Sequence, residues 1–360
     1  MGRSIMSILK EATPFILMTI LQIEEVGITT LGKAAMNKGM SKFVFVVYYN
    51  ALGSLLLLPF CLYNAFRGKR VPLTISLLSK FIFLGFVGIC MVHICVYAGI
   101  SYSSPTLAAA ILNLIPVFTF ILAVIMGMEK LEIRKWSSQA KCIGTITAIV
   151  GAMVVTLYKG PTLITQIPSP PPPNNLFAQS SNWPLGGLLL IISSFLGTTG
   201  YIVQAAAARE CSDATLLVFF CSFFGAVFAG VASLFLEKNL NSWILHDNIE
   251  IVAIISAAIT TTIFRNAVLT WCLRIKGPVY VATFKPFSIV IALIMGLSFL
   301  KENLYLGSVV GSIAIIAGFY AVLWGQAREM DSVANIISKS EILRDQRVSL
   351  LRNTNSPGIA

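Results

Sequence analysis

Five ionisable residues stand inside long apolar runs of this sequence: Glu24, Glu25, His93, Arg265 and Lys285. A charge at the centre of a bilayer costs about 2.5–3.5 kcal/mol on insertion scales, so such a group faces a cavity or an opposite charge. Glu24 and Glu25 are adjacent, and adjacent helix positions point about 100° apart. The reading is that one pairs with Arg265 and the other faces a cavity as a proton site. The plainer alternative holds both in structural ion pairs. Arg265 keeps its proton at any useful pH, so it is either that partner or an anion-binding group.

Lys285 precedes Pro286. A proline removes one backbone donor and frees a carbonyl within a helix. Pro116 holds a similar place earlier in the chain, so both prolines are helix-break candidates. Such breaks line binding sites in carriers built from inverted repeats. Lys285 is therefore a candidate for holding a substrate carboxylate, with snorkelling to the interface as the alternative. His93 is read either as a hydrogen-bonded core residue or as a proton relay. Asn113 and Gln204 could bond substrate or another helix equally well, and so could Asn266. Tyr97, Phe118, Trp271 and Phe284 are candidates for a cavity wall.

The elements that must position these groups follow from composition. Of 360 residues, 56% are hydrophobic and 11% charged, against about 25% charged in a soluble domain. Mean hydropathy is +0.83. These values exclude a soluble, disordered or disulfide-stapled chain. The net charge of +11 lacks the basic face or aromatic-basic module of a nucleic-acid binder. Seven cysteines form no C-x-x-C pair, and no metal site or cofactor is expected. H-E-x-x-H, G-x-S-x-G and Walker A patterns are missing from the sequence, which argues against an enzyme or an ATP-driven pump.

A window of about 20 apolar residues finds ten spans, near 12–33, 43–66, 79–100, 104–127, 138–157, 184–205, 214–236, 250–273, 279–300 and 304–325. Arg3 and Lys10 precede the first, which Glu24 and Glu25 interrupt; it reads as a retained span rather than a signal peptide. With the N-terminus in the cytoplasm, 18 Lys and Arg fall on the cytoplasmic side, 6 outside and 2 within spans. That bias places both termini in the cytoplasm. Residues 158–183 carry Pro168 and Pro170–Pro173 and read as an external polyproline-like linker. Residues 326–360 read as a cytoplasmic tail, with Ile336, Ile337, Ile342 and Leu343 as a surface stripe and Ser349 as a weak phosphorylation candidate.

The two halves repeat. Residues 118–127 read FTFILAVIMG and residues 287–296 read FSIVIALIMG, matching at Phe118/Phe287, Ala123/Ala292, Ile125/Ile294, Met126/Met295 and Gly127/Gly296. Gly144 and Gly151 follow in the first half, Gly311 and Gly318 in the second, each pair seven residues apart. Five spans per half oblige the second half to enter from the opposite face, giving an inverted repeat. Gly144, Ala148, Ala152, Gly307 and Gly311 are read as close helix packing.

Further motifs carry a resemblance. They are KAAMNKGM at 33–40, LNLIPVFTFILA at 112–123, VVTLYKGP at 154–161, YIVQA at 201–205, Trp271, KGPVYVATFKPFSIVIA at 276–292 and YLGSVVGSIAIIAGFYAVLWGQA at 305–327. With five plus five spans, the chain resembles the drug/metabolite transporter superfamily. More narrowly it is similar to the plant EamA-type, walls-are-thin-related proteins, also called "usually multiple acids move in and out" proteins. Glu24-Glu25 departs from relatives that often have uncharged residues there. The resemblance implies a carrier of the plasma or vacuolar membrane that moves amino acids or auxin.

The expectation is an all-α integral membrane protein of ten helices in two inverted five-helix repeats. Residues 1–157 form the first repeat, 158–183 the linker, 184–325 the second repeat and 326–360 the tail. The expected function is a facilitator or proton-coupled carrier of small organic solutes, amino acids first, by alternating access. Export of auxin-like acids is the alternative, and a channel, receptor or scaffold is more remote. The expected partners are a small-molecule substrate and the lipid bilayer, with nucleic acid excluded and self-association open. The plasma membrane is preferred over the vacuolar membrane.

Overall fold

The structure is a computed structural model. It describes residues 5–67, 74–102, 105–128, 135–158, 160–164, 183–211, 213–237, 240–299 and 304–329. The proline run at 168–173 and the tail beyond 329, with its apolar stripe and Ser349, lie outside the described residues.

Among the described residues, nine helices are long and apolar enough to cross a membrane. They supply span one (Ala12–Met36), two (Lys42–Asn64), three (Ile75–Ile100), five (Trp136–Leu157), six (Pro184–Glu210), seven (Ala214–Leu236), eight (Asn248–Lys276), nine (Pro278–Met295) and ten (Leu306–Glu329). Large apolar side chains such as Leu55, Phe60, Ile143, Leu188, Ile259 and Ile313 stand exposed on them. A face this apolar matches hydrocarbon rather than water.

The sequence expects a tenth continuous span over 104–127. The structure instead breaks it into Pro105–Leu112 and Ile115–Ile125. Pro116 sits at the start of the second piece, where a missing N–H is harmless, and its ring prevents a continuous turn from residue 112. Span nine breaks likewise into Pro278–Thr283 and Phe287–Phe299, with Pro286 in the gap. The fourth and ninth spans are thus both discontinuous.

Spans three and eight share a second irregularity. Leu84–Met91 and Ala258–Arg265 each wind as a π-helix of eight residues. Wide turns of this kind recur at functional sites. Each packs against a glycine from the other half of the chain. A Cβ on Gly53 in span two would lie 2.4 Å from Thr262 Cγ2, and one on Gly225 in span seven would lie 2.6 Å from Ile89 Cδ1. The two contacts are counterparts, and they interlock the halves. Span one likewise packs on spans eight and nine, while span six packs on spans three and four.

Spans five and ten run antiparallel and close the repeat. A Cβ on Gly144 would lie 2.6 Å from the Gly318 carbonyl oxygen, and one on Gly151 would lie 2.7 Å from that of Gly311. No side chain fits there, so the backbones touch. At one end, Thr162–Ile164 and Leu304–Tyr305 pair as a short antiparallel ribbon. The antiparallel register is what an inverted repeat requires of its two last spans.

Candidate functional site

Glu24 and Glu25 lie in the unbroken helix Ile5–Asn37. Arg265 closes the π-helical stretch of span eight. Lys285 stands in the break of span nine. The fold brings all four together. Lys285 Nζ donates to Glu25 Oε1 at 2.6 Å, and Arg265 Nη2 donates to Glu25 Oε2 at 2.9 Å. Arg265 Nη1 is 3.5 Å from Glu24 Oε2, and Thr261 Oγ1 donates to Glu24 Oε1 at 2.8 Å. Thr261 and Arg265 are four residues apart and meet span one side by side.

The sequence expectation had one carboxylate on Arg265 and the other turned to a cavity. Here the guanidinium spans both carboxylates, as its planar fork allows. Glu25 bridges the two cations. The ends of the cluster differ in access. Glu24 and Arg265 side chains are 9% and 15% exposed, Glu25 and Lys285 30% and 20%.

Two carboxylates and two cations leave the cluster without net charge. Aromatic and aliphatic side chains seal it on the side toward the N-terminal end of span one. Phe284 packs on Phe319 at a centroid distance of 4.8 Å and on Tyr280 at 5.2 Å, and Phe15 lies 5.8 Å from Phe284. Met18 and Leu21 are buried in the same group. Phe284 thus belongs to the core rather than to an open wall.

Span six occupies, against the break in span four, the place span one holds against the break in span nine. Its groups are neutral. Thr198 Oγ1 donates to the Ile115 carbonyl at 3.4 Å and lies 3.4 Å from Thr119 Oγ1. Ser194 Oγ donates to the Ile111 carbonyl at 3.3 Å. These hydroxyls satisfy backbone that the proline break disturbs. Asn113 is buried at that break and Pro116 just beyond it. Gln204 Nε2 donates to Thr270 Oγ1 at 3.0 Å, tying span six to span eight.

His93 stands apart from the charges. Its Nδ1 donates to the Ile89 carbonyl at 2.6 Å. Its ring lines a small pocket with Phe43, Cys90, Ala229 and Ser233, between spans two, three and seven. Among the described residues no group of three or more His, Cys, Asp or Glu could hold a metal ion.

Sequence reasoning missed Lys141. It is 1% exposed, and its Nζ lies 2.5 Å from Glu329 Oε2. Ser138 Oγ donates to Glu329 Oε1 at 3.2 Å. The pair clips span five to span ten beyond the glycine contact. A lysine inside the predicted span 138–157 was the available signal, obscured by counting it with the neighbouring loop. Thr261 was missed as well, because it is the middle of three consecutive threonines, Thr260–Thr262, and nothing in the sequence singles it out.

Two interlocked halves, paired discontinuous spans and a balanced set of ionised residues within the membrane define a carrier fold. The comparisons agree. Residues 15–157 match the EamA-like transporter family. A WAT1-related protein of Arabidopsis thaliana is 43% identical over 325 residues, covering 89% of this chain and 87% of its own. A second from the same plant is 41% identical over 339 residues, covering 92% and 91%. A solved crystal structure shares the fold with a TM-score of 0.68 at 11% identity, covering 88% of this chain and 98% of that one. The chain belongs to the WAT1-related proteins, plant members of the EamA-like transporters. It is an integral membrane transporter of small solutes.

Proposed function

We propose that this transporter carries small organic solutes bearing a carboxylate, amino acids before auxin-like acids, by alternating access. The observation that carries the reading is the Glu25 bridge between Lys285 and Arg265. A substrate carboxylate can replace the Glu25 carboxylate on either cation, and a substrate ammonium can take the place of Lys285 beside Glu25. Both exchanges preserve the charge-assisted hydrogen bonds that make ionised groups tolerable at this depth.

In this reading Glu25, Lys285 and Arg265 bind substrate. Glu24 holds Arg265 in place, and Gln204 and Asn113 border the path. The breaks at Pro116 and Pro286 let the wall segments move against the interlocked halves. The bias of basic residues supports cytoplasmic termini, which puts the aromatic seal on the cytoplasmic side. The plasma membrane is the preferred site. The repeats divide at 157 and 184. Relatives from a transporter family favour transport over catalysis.

The test is efflux from oocytes loaded with labelled amino acids, with an auxin in parallel and surface protein measured. Broad amino-acid efflux above uninjected cells is expected. Auxin efflux alone would move the reading to organic acids.

A further inference from the structure

We infer that the Glu24–Glu25–Arg265–Lys285 cluster sets a charge rule for transport: zwitterions pass without a proton, whereas a monoanion passes only with one proton, carried on Glu25. The inference rests on the proposed role of the cluster as the substrate site.

The argument is one of charge balance. The cluster holds two carboxylates on two cations. At this depth an uncompensated charge is strongly unfavourable. A zwitterion brings one carboxylate and one ammonium. Its carboxylate takes the place of Glu25 on Lys285, its ammonium meets Glu25, and the sum stays zero. A monoanion can also take Lys285, but Glu25 is then left as an excess negative charge. A proton from the aqueous side, added to the Glu25 carboxylate, restores neutrality. Glu25 is suited to this because it is the more exposed carboxylate, 30% against 9% for Glu24. Glu24 is held by Thr261 and Arg265.

The charged and titratable surroundings of Glu25 are few. Span eight contributes Arg265 and span nine Lys285. Tyr201 of span six and Tyr49 of span two lie near enough to Arg265 to feel its charge. His93 lines a different pocket. Among these, Glu25 is the group placed to take up a proton as a substrate carboxylate replaces it.

The test uses the full chain in voltage-clamped oocytes, with uptake of labelled asparagine and labelled cysteate at external pH 7.5 and 5.5. The two solutes are similar in size. Cysteate keeps its sulfonate ionised throughout, so its own charge stays fixed. Asparagine uptake is expected to change less than twofold with pH and to carry no current. Cysteate uptake is expected to rise at least fivefold at pH 5.5, also without net current. In Glu25→Gln, the cluster carries one excess positive charge before substrate binds. Cysteate uptake then becomes independent of pH and carries current. Wild-type asparagine uptake that follows pH, or wild-type cysteate uptake that does not rise on acidification, overturns the rule whether or not the variant reaches the surface. Uptake of neither solute, with wild-type protein at the surface, overturns the carrier reading itself and the rule with it.

Discussion

Lys285 Nζ sits 2.6 Å from Glu25 Oε1, joining a proline-broken helix of the second half to the unbroken first helix of the first half. The contact spans 260 residues of sequence. It also marks where the pseudo-symmetry fails. Against the other break, span six offers the hydroxyl of Thr198. Charge is concentrated at one of two otherwise matching places, and the substrate site is proposed there.

Breaking the pair on one side should be worse than removing it from both. Glu25→Ala leaves Lys285 without its nearest partner, and Lys285→Ala strips Glu25 of one of two. Each single variant is expected to lose about 3 kcal/mol, and the Glu25→Gln/Lys285→Gln double variant less than either. Thermal unfolding of purified protein in detergent reads the difference. A loss in the double variant equal to the sum of the two single losses would show that the pair has no structural coupling.

Arg265→Lys keeps the charge but loses the fork that reaches Glu24 and Glu25 together. A single ammonium cannot match both contacts at 3.5 and 2.9 Å. Transport is expected to fall at least tenfold while surface protein is kept, as measured by flux normalised to surface biotinylation. Wild-type flux in this variant would assign Arg265 a generic positive charge.

The glycines of the spans separate into required positions, such as Gly144 of span five, and free ones, such as Gly187 of span six. Gly144→Ala would drive a methyl onto the Gly318 carbonyl, whereas a Cβ at Gly187 would meet nothing within 4 Å. Overpacking of this kind costs about 1–3 kcal/mol. Gly187→Ala should be neutral or stabilising by up to about 1 kcal/mol, since alanine suits a helix interior better. Melting temperatures of the two variants should move in opposite directions or differ by several degrees.

Lys141 and Glu329 hold the same two spans at the opposite end from the strand pair. Lys141→Ala should destabilise by about 2–3 kcal/mol, because it removes the buried cation facing Glu329 while the Ser137 and Ser138 hydroxyls stay on that carboxylate, and Lys141→Met/Glu329→Leu should restore most of the loss. A double-mutant cycle on unfolding midpoints measures the coupling.

Much of this architecture was legible because a bilayer is a strict solvent. Among the described residues, nine of the ten apolar runs hold helices long enough to span and the fourth holds two shorter ones, and the repeated glycines became the contact between spans five and ten. The charged residues were legible as a set, since ionised groups within hydrocarbon must find one another. Their pairing was not. Adjacent Glu24 and Glu25 both reach Arg265 because its two guanidinium nitrogens contact one carboxylate each, at the end of the π-helical stretch of span eight. A local winding of that kind leaves no periodic trace in sequence. The broken fourth span was only half legible. Pro116 marked the place, yet hydropathy alone joined the pieces.

The central claim is that substrate binds where Lys285 meets Glu25. The direct measurement is the shift in melting temperature that saturating asparagine gives to purified wild type, Lys285→Ala and Lys141→Ala. Ligand bound only by the folded state raises that temperature. The account predicts a shift in wild type and in Lys141→Ala, whose altered ion pair lies away from the cluster, and none in Lys285→Ala. A full shift in Lys285→Ala would place the substrate elsewhere and contradict the account.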